Sequence, residues 1–125
     1  MFEDSNISLL SGKVITRIEY AENCSYEVEF TCSDGEKFRL YHMQDCCEHV
    51  RVFKVDGNVN SVLNSRVLSA TKTDSVEGMG ITYQPYDSYT WSVFTIITAK
   101  GYLRIIWLGE SNGYYSEKVH FQRAH

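Results

Sequence analysis

The fold is decided by residues 88–108, SYTWSVFTIITAKGYLRIIWL. β-Branched and aromatic side chains fill 88–98 and 102–108 almost completely, and Ala99-Lys100-Gly101 separates the two runs. This composition predicts two antiparallel strands joined as a hairpin. Because both runs are apolar on both faces, we expect the hairpin in the middle of a sheet, with other parts of the protein packed on each side.

Alternating apolar and polar side chains predict further strands on both sides of the hairpin. The clearest case is 25–32, SYEVEFTC, in which one face is apolar and the other polar. Asp34-Gly35 follows with the residues of a tight hairpin turn. The other predicted elements are strands at 13–20, 37–43, 49–55, 65–74 and 114–121 and one helical turn at 59–64.

These elements predict a mainly β protein, or an α+β protein with one short helix. Its architecture is an antiparallel sheet, a sandwich or a half-open barrel of about seven or eight strands. The 125 residues show no break in composition, so we expect one domain over 1–125. Residues 1–12 are expected to form a flexible N-terminal segment. The polar, Gly-rich residues 75–87, which include Pro85, are expected to form a mobile loop.

Composition argues against several classes of protein. Twelve Lys and Arg oppose 16 Asp and Glu, and this net charge of −4 disfavours direct binding of nucleic acid. No run reaches the about 18 apolar residues that span a membrane, and the acidic start MFEDSNISLL is unlike a signal peptide. We therefore expect a cytoplasmic protein without membrane association, in which the cysteines are reduced thiols. These cysteines are Cys24, Cys32, Cys46 and Cys47.

The first candidate site is the segment 42–49, which is rich in reactive side chains. They are His42, Asp45, Cys46, Cys47, Glu48 and His49. Two thiols and two imidazoles are zinc ligands, but adjacent cysteines lack the usual Cys-x2-Cys spacing, so no metal is predicted. A thiolate activated by a histidine, which an acidic side chain orients, is a catalytic alternative. The third interpretation is structural, with cysteines in the fold and the two acids holding a turn.

The second candidate site is the segment 109–117. Its polar and aromatic residues are Glu110, Ser111, Asn112, Tyr114, Tyr115 and Glu117. Asn112-Gly113 favours a hairpin turn. The two glutamates flank this turn and would suit a glycosidase if they faced each other. A structural interpretation makes both glutamates solvated residues at the rim of the turn. Tyrosine with small polar residues is also typical of adaptable binding surfaces, and this makes the segment a candidate binding site.

Seven aromatic residues fall in the predicted loop 75–87 and in the central hairpin. The set is Tyr83, Tyr86, Tyr89, Trp91, Phe94, Tyr102 and Trp107. Cross-strand packing accounts for many of them. If exposed, Trp91 and Trp107 are candidate binding residues. No cofactor is predicted, because the chain has no phosphate-binding loop, no dinucleotide fingerprint and no HExxH or GxSxG motif.

Two of these segments form a recognisable combination. HxQDCCExV begins at His42 and WxGESNGYYSE begins at Trp107, with Tyr89-Thr90-Trp91 and Lys100-Gly101-Tyr102 between them. Over residues 13–121 this pattern resembles a family of small phage and prophage proteins known only as a domain of unknown function. The resemblance implies a viral or prophage gene product that acts in the bacterial cytoplasm, and it implies no established activity.

We therefore expect a non-enzymatic, phage-encoded β domain that binds a host protein or a defence component, such as an anti-CRISPR-like inhibitor. A binder of a small molecule or a nucleotide signal is the first alternative. A small hydrolase that uses the 42–49 segment or the Glu110/Glu117 pair is the second. A homodimer is also considered, because a twin subunit could cover a face of the apolar hairpin.

Overall fold

The computed structural model describes residues 6–83 and 87–124, which form two antiparallel sheets of four strands. The strands are β1 (Ile15–Glu19), β2 (Glu27–Cys32), β3 (Lys37–Tyr41), β4 (His49–Gly57), β5 (Val67–Thr73), β6 (Ser88–Thr98), β7 (Gly101–Ser111) and β8 (His120–Ala124). The first sheet has the order β1-β2-β3-β8 and the second the order β4-β7-β6-β5. The predicted mainly β, antiparallel fold is confirmed, and its form is a two-sheet sandwich.

The inner faces of the two sheets share one apolar core. Phe30 and Phe38 of the first sheet are fully buried, and Phe121 stacks on Phe38 with ring centroids 5.2 Å apart. Ile105 and Trp107 of β7 belong to the same core. Burying a side chain of this size stabilises a fold by about 1.5–3 kcal/mol, so these contacts hold the sheets together.

The predicted central hairpin is confirmed, because β6 and β7 pair along their whole length in the middle of the second sheet. The outer face of this hairpin is covered by the chain's own segment 76–83. The side chains that pack there are Phe53, Val76, Met79, Ile81 and Tyr83 against Trp91, Val93, Ile106 and Leu108. A twin subunit is therefore not needed to cover this face, although the homodimer itself stays a prediction.

The predicted strand at 114–121 is wrong for most of its length. Residues 112–119 are irregular, and β8 at His120–Ala124 pairs with β3 in the other sheet instead of returning on β7. Side chains accept hydrogen bonds from the backbone N–H groups of this segment. Ser111 Oγ accepts from Gly113 N at 3.0 Å, and Asn112 Oδ1 accepts from Tyr114 N at 3.0 Å. Such local bonds compete with strand pairing.

The N-terminal segment packs on the core in its described part, residues 6–12, and its flexibility stays a prediction. Ile7–Leu10 form a 3-10 turn that Asn6 caps, and Ile7 and Leu10 are buried in the core. Gly12 N also donates to Val67 O at 2.8 Å. Residues 1–5 lie outside the described residues.

The remaining expectations concern one helical turn and one loop. The turn predicted at 59–64 is present as the 3-10 turn Val59–Ser61. Of the predicted mobile loop, 76–83 lie against the second sheet, Pro85 and Tyr86 lie outside the described residues, and the mobility stays a prediction. Among the residues that the structure describes, no helix is long and apolar enough to cross a membrane.

Candidate functional site

The two candidate segments meet at one end of the sandwich. β4 begins at His49, which pairs with Glu110 near the end of β7. We call residues 42–48 the first loop and residues 112–119 the second loop; they lead into β4 and out of β7, respectively. A hydrogen bond of 2.7 Å from His42 Nδ1 to Lys118 O joins the loops directly.

His49 lies between two cavities. One has a volume of about 370 Å³ and is lined by Tyr26, His42, Gln44, Glu48, His49 and Val50. The other has a volume of about 330 Å³ and is lined by Cys47, His49, Asp87, Ser88, Glu110, Ser111 and Asn112. The second cavity therefore draws its walls from both candidate segments.

His42 forms a buried ion pair with Glu48. Its side chain is 3% exposed and that of Glu48 is 0% exposed. His42 Nδ1 donates to the Lys118 carbonyl, and His42 Nε2 donates to Glu48 Oε2 at 2.7 Å. A carbonyl oxygen and a carboxylate oxygen are both acceptors, so each ring nitrogen of His42 faces an acceptor.

Glu48 organises the first loop. Its Oε1 accepts from Cys46 N at 2.9 Å and from Gln44 Nε2 at 3.3 Å, and its Oε2 accepts from Asp45 N at 2.9 Å. Burial opposes ionisation of Glu48, but the bonds from His42 and from the backbone outweigh it and lower the pKa to about 2. The loop is thus wrapped around a carboxylate that stays ionised at neutral pH.

Glu110 is held by two side chains from other parts of the chain. Arg51 Nη1 donates to Glu110 Oε1 at 2.6 Å, and the Tyr83 hydroxyl donates to Glu110 Oε2. Burial raises the pKa of Glu110, but the donors Tyr83 and Arg51 outweigh it, so the pKa lies below its usual value. The same hydrogen bond, with burial, raises the pKa of Tyr83.

His49 is the histidine of the site that favours the neutral state. Burial and the neighbouring Arg51 lower its pKa, and Glu110 only partly opposes them. Its Nε2 lies 3.3 Å from the Tyr26 hydroxyl. A neutral imidazole between two cavities can exchange hydrogen bonds with a ligand as donor or acceptor.

Glu117 is buried on the inner face of the second sheet. Its Oε1 accepts from Thr90 Oγ1 at 2.7 Å, and its Oε2 accepts from Ser111 Oγ at 2.5 Å. A Cβ on Gly109 would lie 2.8 Å from Glu117 Cβ. Glycine at position 109 is therefore required by this close approach.

The two glutamates lie on opposite faces of the second sheet. Glu110 shares the outer face with Leu108, which packs under segment 76–83. Glu117 bonds Ser111, which shares the inner face with the buried Trp107. Side chains alternate along β7, so Glu110 and Ser111, which holds Glu117, lie on opposite faces, and the two carboxylates do not face each other as the glycosidase alternative requires.

The two cysteines of the first loop are not the reduced thiols that the sequence predicts. Cys46 and Cys47 form a disulfide and both are exposed, whereas Cys24 and Cys32 are free. The two cysteines do not lie in a strand, where adjacent side chains point to opposite faces, but in a loop whose backbone N–H groups donate to Glu48. Within the described residues, no three His, Cys, Asp or Glu side chains converge as metal ligands.

The aromatic candidates divide into buried and exposed residues. Trp107 is 0% exposed and Trp91 is 8% exposed, so both side chains pack in the interior, and a role of either in binding stays a prediction. Trp91 makes edge contacts with Phe53 at 5.2 Å and Tyr83 at 6.0 Å. Tyr114 is 82% exposed at the tip of the second loop. The surface aromatic of the site is therefore a tyrosine.

Four partners of the site were not expected from the sequence. They are Tyr26, Gln44, Arg51 and Thr90. Arg51 lies two residues after His49 on β4, so both side chains point to the same face of the sheet. Its partner Glu110, 59 residues away, could be found only from the pairing of β4 with β7.

The chain matches a known protein family over most of its length. Residues 8–121 match the profile of a domain of unknown function, DUF7448. No curated protein and no solved structure gave a significant match.

Proposed function

Because the chain belongs to the DUF7448 family, described as a domain of unknown function, we propose a function from its own geometry: it is a non-enzymatic domain that binds a partner protein through the two loops. One observation carries the proposal. All six carboxylate oxygens of Glu48, Glu110 and Glu117 accept hydrogen bonds from this chain. These acids are committed to holding loops and strands, which leaves none of them to act as a general acid or base.

The exposed residues of the loops suit protein recognition. The first loop displays Met43, which is 50% exposed, and the second displays Tyr114 at its tip. Tyr114 also contacts Tyr115 edge to face, with centroids 5.1 Å apart. Tyrosine and methionine are enriched at interfaces, and a loop already ordered by internal bonds loses little entropy on binding.

The partner that we propose is a host or defence-system protein in the cytoplasm of a phage-infected bacterium. The motif pattern described above supports a phage origin. The net charge of −4 supports a partner with a basic surface, such as one that normally binds nucleic acid. The chain would then compete with phosphate groups for the same Lys and Arg side chains.

The test is capture from a bacterial lysate at low salt with immobilised wild-type protein and two tyrosine variants. We expect Tyr114→Ala to weaken binding of the captured partner at least about tenfold. Tyr102→Ala is the matched control, because Tyr102 is also exposed but lies at the other end of β7. Equal binding by wild type and Tyr114→Ala, or no partner at low salt, would contradict the proposal.

A second candidate function rests on the two cavities beside His49. Their volumes of about 370 and 330 Å³ fall in the range of small-molecule sites. A small-molecule or nucleotide-signal binder predicts a rise in melting temperature with one member of a panel of cyclic and linear nucleotides. No shift across the panel would remove this candidate.

A further inference from the structure

The disulfide between Cys46 and Cys47 is a chemical group that the proposed binding function does not use. Both residues are exposed, and Cys47 lines the cavity of about 330 Å³ beside His49. A small molecule that enters this cavity therefore lies against a residue of the disulfide. Access is the first requirement for exchange between a thiol and a disulfide.

The backbone around the disulfide is held by groups other than sulfur. Cys46 N donates to Glu48 Oε1 at 2.9 Å, and Cys46 O accepts from Gln44 Nε2 at 3.2 Å. Glu48 is in turn fixed by the buried His42. These bonds do not depend on the disulfide, so two thiols formed by its reduction stay side by side. Closure is then intramolecular, with a high effective concentration.

We propose that the Cys46–Cys47 disulfide is a reversible exchange site for small thiols, with a preference for cationic over anionic ones. The thiolate of the small molecule attacks Cys47 Sγ, the S–S bond breaks, and its electron pair leaves with Cys46 Sγ, which takes a proton from water. A second small thiol attacks the mixed disulfide and releases the Cys47 thiol with a small disulfide. Two electrons pass from two thiols to the protein, and a small disulfide reverses the reaction.

The preference for cationic thiols follows from the charges around the site. Glu48 is paired with His42, and Glu110 with Arg51. Asp87 lines the cavity, Asp45 precedes the disulfide, and neither has an ion-pair partner among the described residues. Two uncompensated negative charges attract a cationic thiol and repel an anionic one, and salt screens the effect.

The experiment uses the full chain with Cys24→Ser, because Cys24 is exposed and free whereas the free Cys32 is buried. The folded protein is treated with cysteamine, a cationic thiol, or with 2-mercaptoethanesulfonate, an anionic one, and new thiols are counted by maleimide labelling and mass spectrometry. We expect no maleimide label per chain before the thiol is added and two labels after it. When cystamine is then added to re-form the disulfide, we expect no label again. Each rate is divided by the rate of the same thiol with a small disulfide. We expect cysteamine to be severalfold faster at low salt.

Controls separate the parts of the proposal. Cys46→Ser with Cys47→Ser in the same background is expected to take no label. The double substitution Asp45→Asn and Asp87→Asn is expected to make the corrected rates of the two thiols equal. Two labels before any thiol is added, or none after treatment of the folded protein, would overturn the exchange site. Equal corrected rates for the two thiols would overturn the charge preference. The outcome does not depend on whether a partner protein binds.

Discussion

Glu48 is the residue on which the order of the first loop depends. Its two oxygens accept from the His42 side chain, the Gln44 side chain and the backbone N–H groups of Asp45 and Cys46. A buried carboxylate needs such donors, because its charge loses the hydration of bulk water. One side chain thus fixes both the conformation of the loop and, through His42, the distance to the second loop.

At this scale we predict that Glu48→Gln destabilises the protein clearly, although the side chain keeps its shape. The amide removes the buried carboxylate charge that faces the His42 ring and turns one acceptor into a donor. We expect the melting temperature to fall by more than about 5 °C in a thermal scan. Asp45→Asn is the control, because only the backbone of Asp45 contacts Glu48. An equal effect of the two substitutions would argue against the ion pair.

Ser111 controls a second local arrangement, at the start of the second loop. Its hydroxyl donates to Glu117 Oε2 and accepts from Gly113 N. This one group couples a buried carboxylate to the backbone of the loop. It explains why a segment with Asn112-Gly113, the dipeptide of a tight hairpin, does not form a hairpin.

At the scale of the element, we predict that Ser111→Ala loosens the second loop more than the sheet. The substitution removes the acceptor of Gly113 N, so this amide should exchange with deuterium at least about tenfold faster, while the amides of β6 and β7 change little. Ser116→Ala is the control, since Ser116 Oγ in the same loop accepts from Lys118 N and not from Gly113 N. Unchanged protection of Gly113 would contradict the role given to Ser111.

Segment 76–83 covers the outer face of the β6–β7 hairpin and forms a second, smaller apolar core with it. Its apolar side chains pack on β6 and β7, and Tyr83 ends it with a hydrogen bond to Glu110. We predict that Tyr83→Phe moves the pKa of Glu110 up toward its usual value, because the donor that favours the carboxylate is lost while Arg51 remains.

The measurement is an NMR titration of the Glu110 carboxyl carbon in both proteins. Tyr89→Phe is the matched control, because Tyr89 packs on the same aromatic cluster and is exposed. The control should leave the titration of Glu110 unchanged. A Tyr83→Phe titration identical to that of the wild type would remove Tyr83 as an anchor of the segment.

For the whole molecule, the ionised Glu48 links stability to pH. Its pKa is about 2 in the folded protein and 4.5 in an unperturbed chain, so the unfolded state binds the proton first as the pH falls. The stabilisation is fully present above about pH 4.5 and is lost between there and about pH 2. The difference in unfolding free energy between wild type and Glu48→Gln should therefore narrow across this range. Urea titrations at several pH values measure it, and a constant difference would contradict the prediction.

The sequence by itself determined strands β1 to β7 and the central hairpin, because alternation and β-branched runs are local properties of neighbouring residues. It also indicated both candidate segments, from the density of polar side chains in 42–49 and 109–117. It did not assign β8 to the first sheet, nor find the cover of segment 76–83, since each depends on what a segment meets far along the chain.

Only the tertiary structure decided which side chains act together. His42 bonds Lys118 across 76 residues, and Arg51 bonds Glu110 across 59. The tertiary structure also places Glu110 and Glu117 on opposite faces of the second sheet, although only seven positions separate them in the sequence. The physical reason is that a charged or polar side chain takes whichever partner the packing of strands brings within hydrogen-bond distance, and that packing is a property of the whole chain.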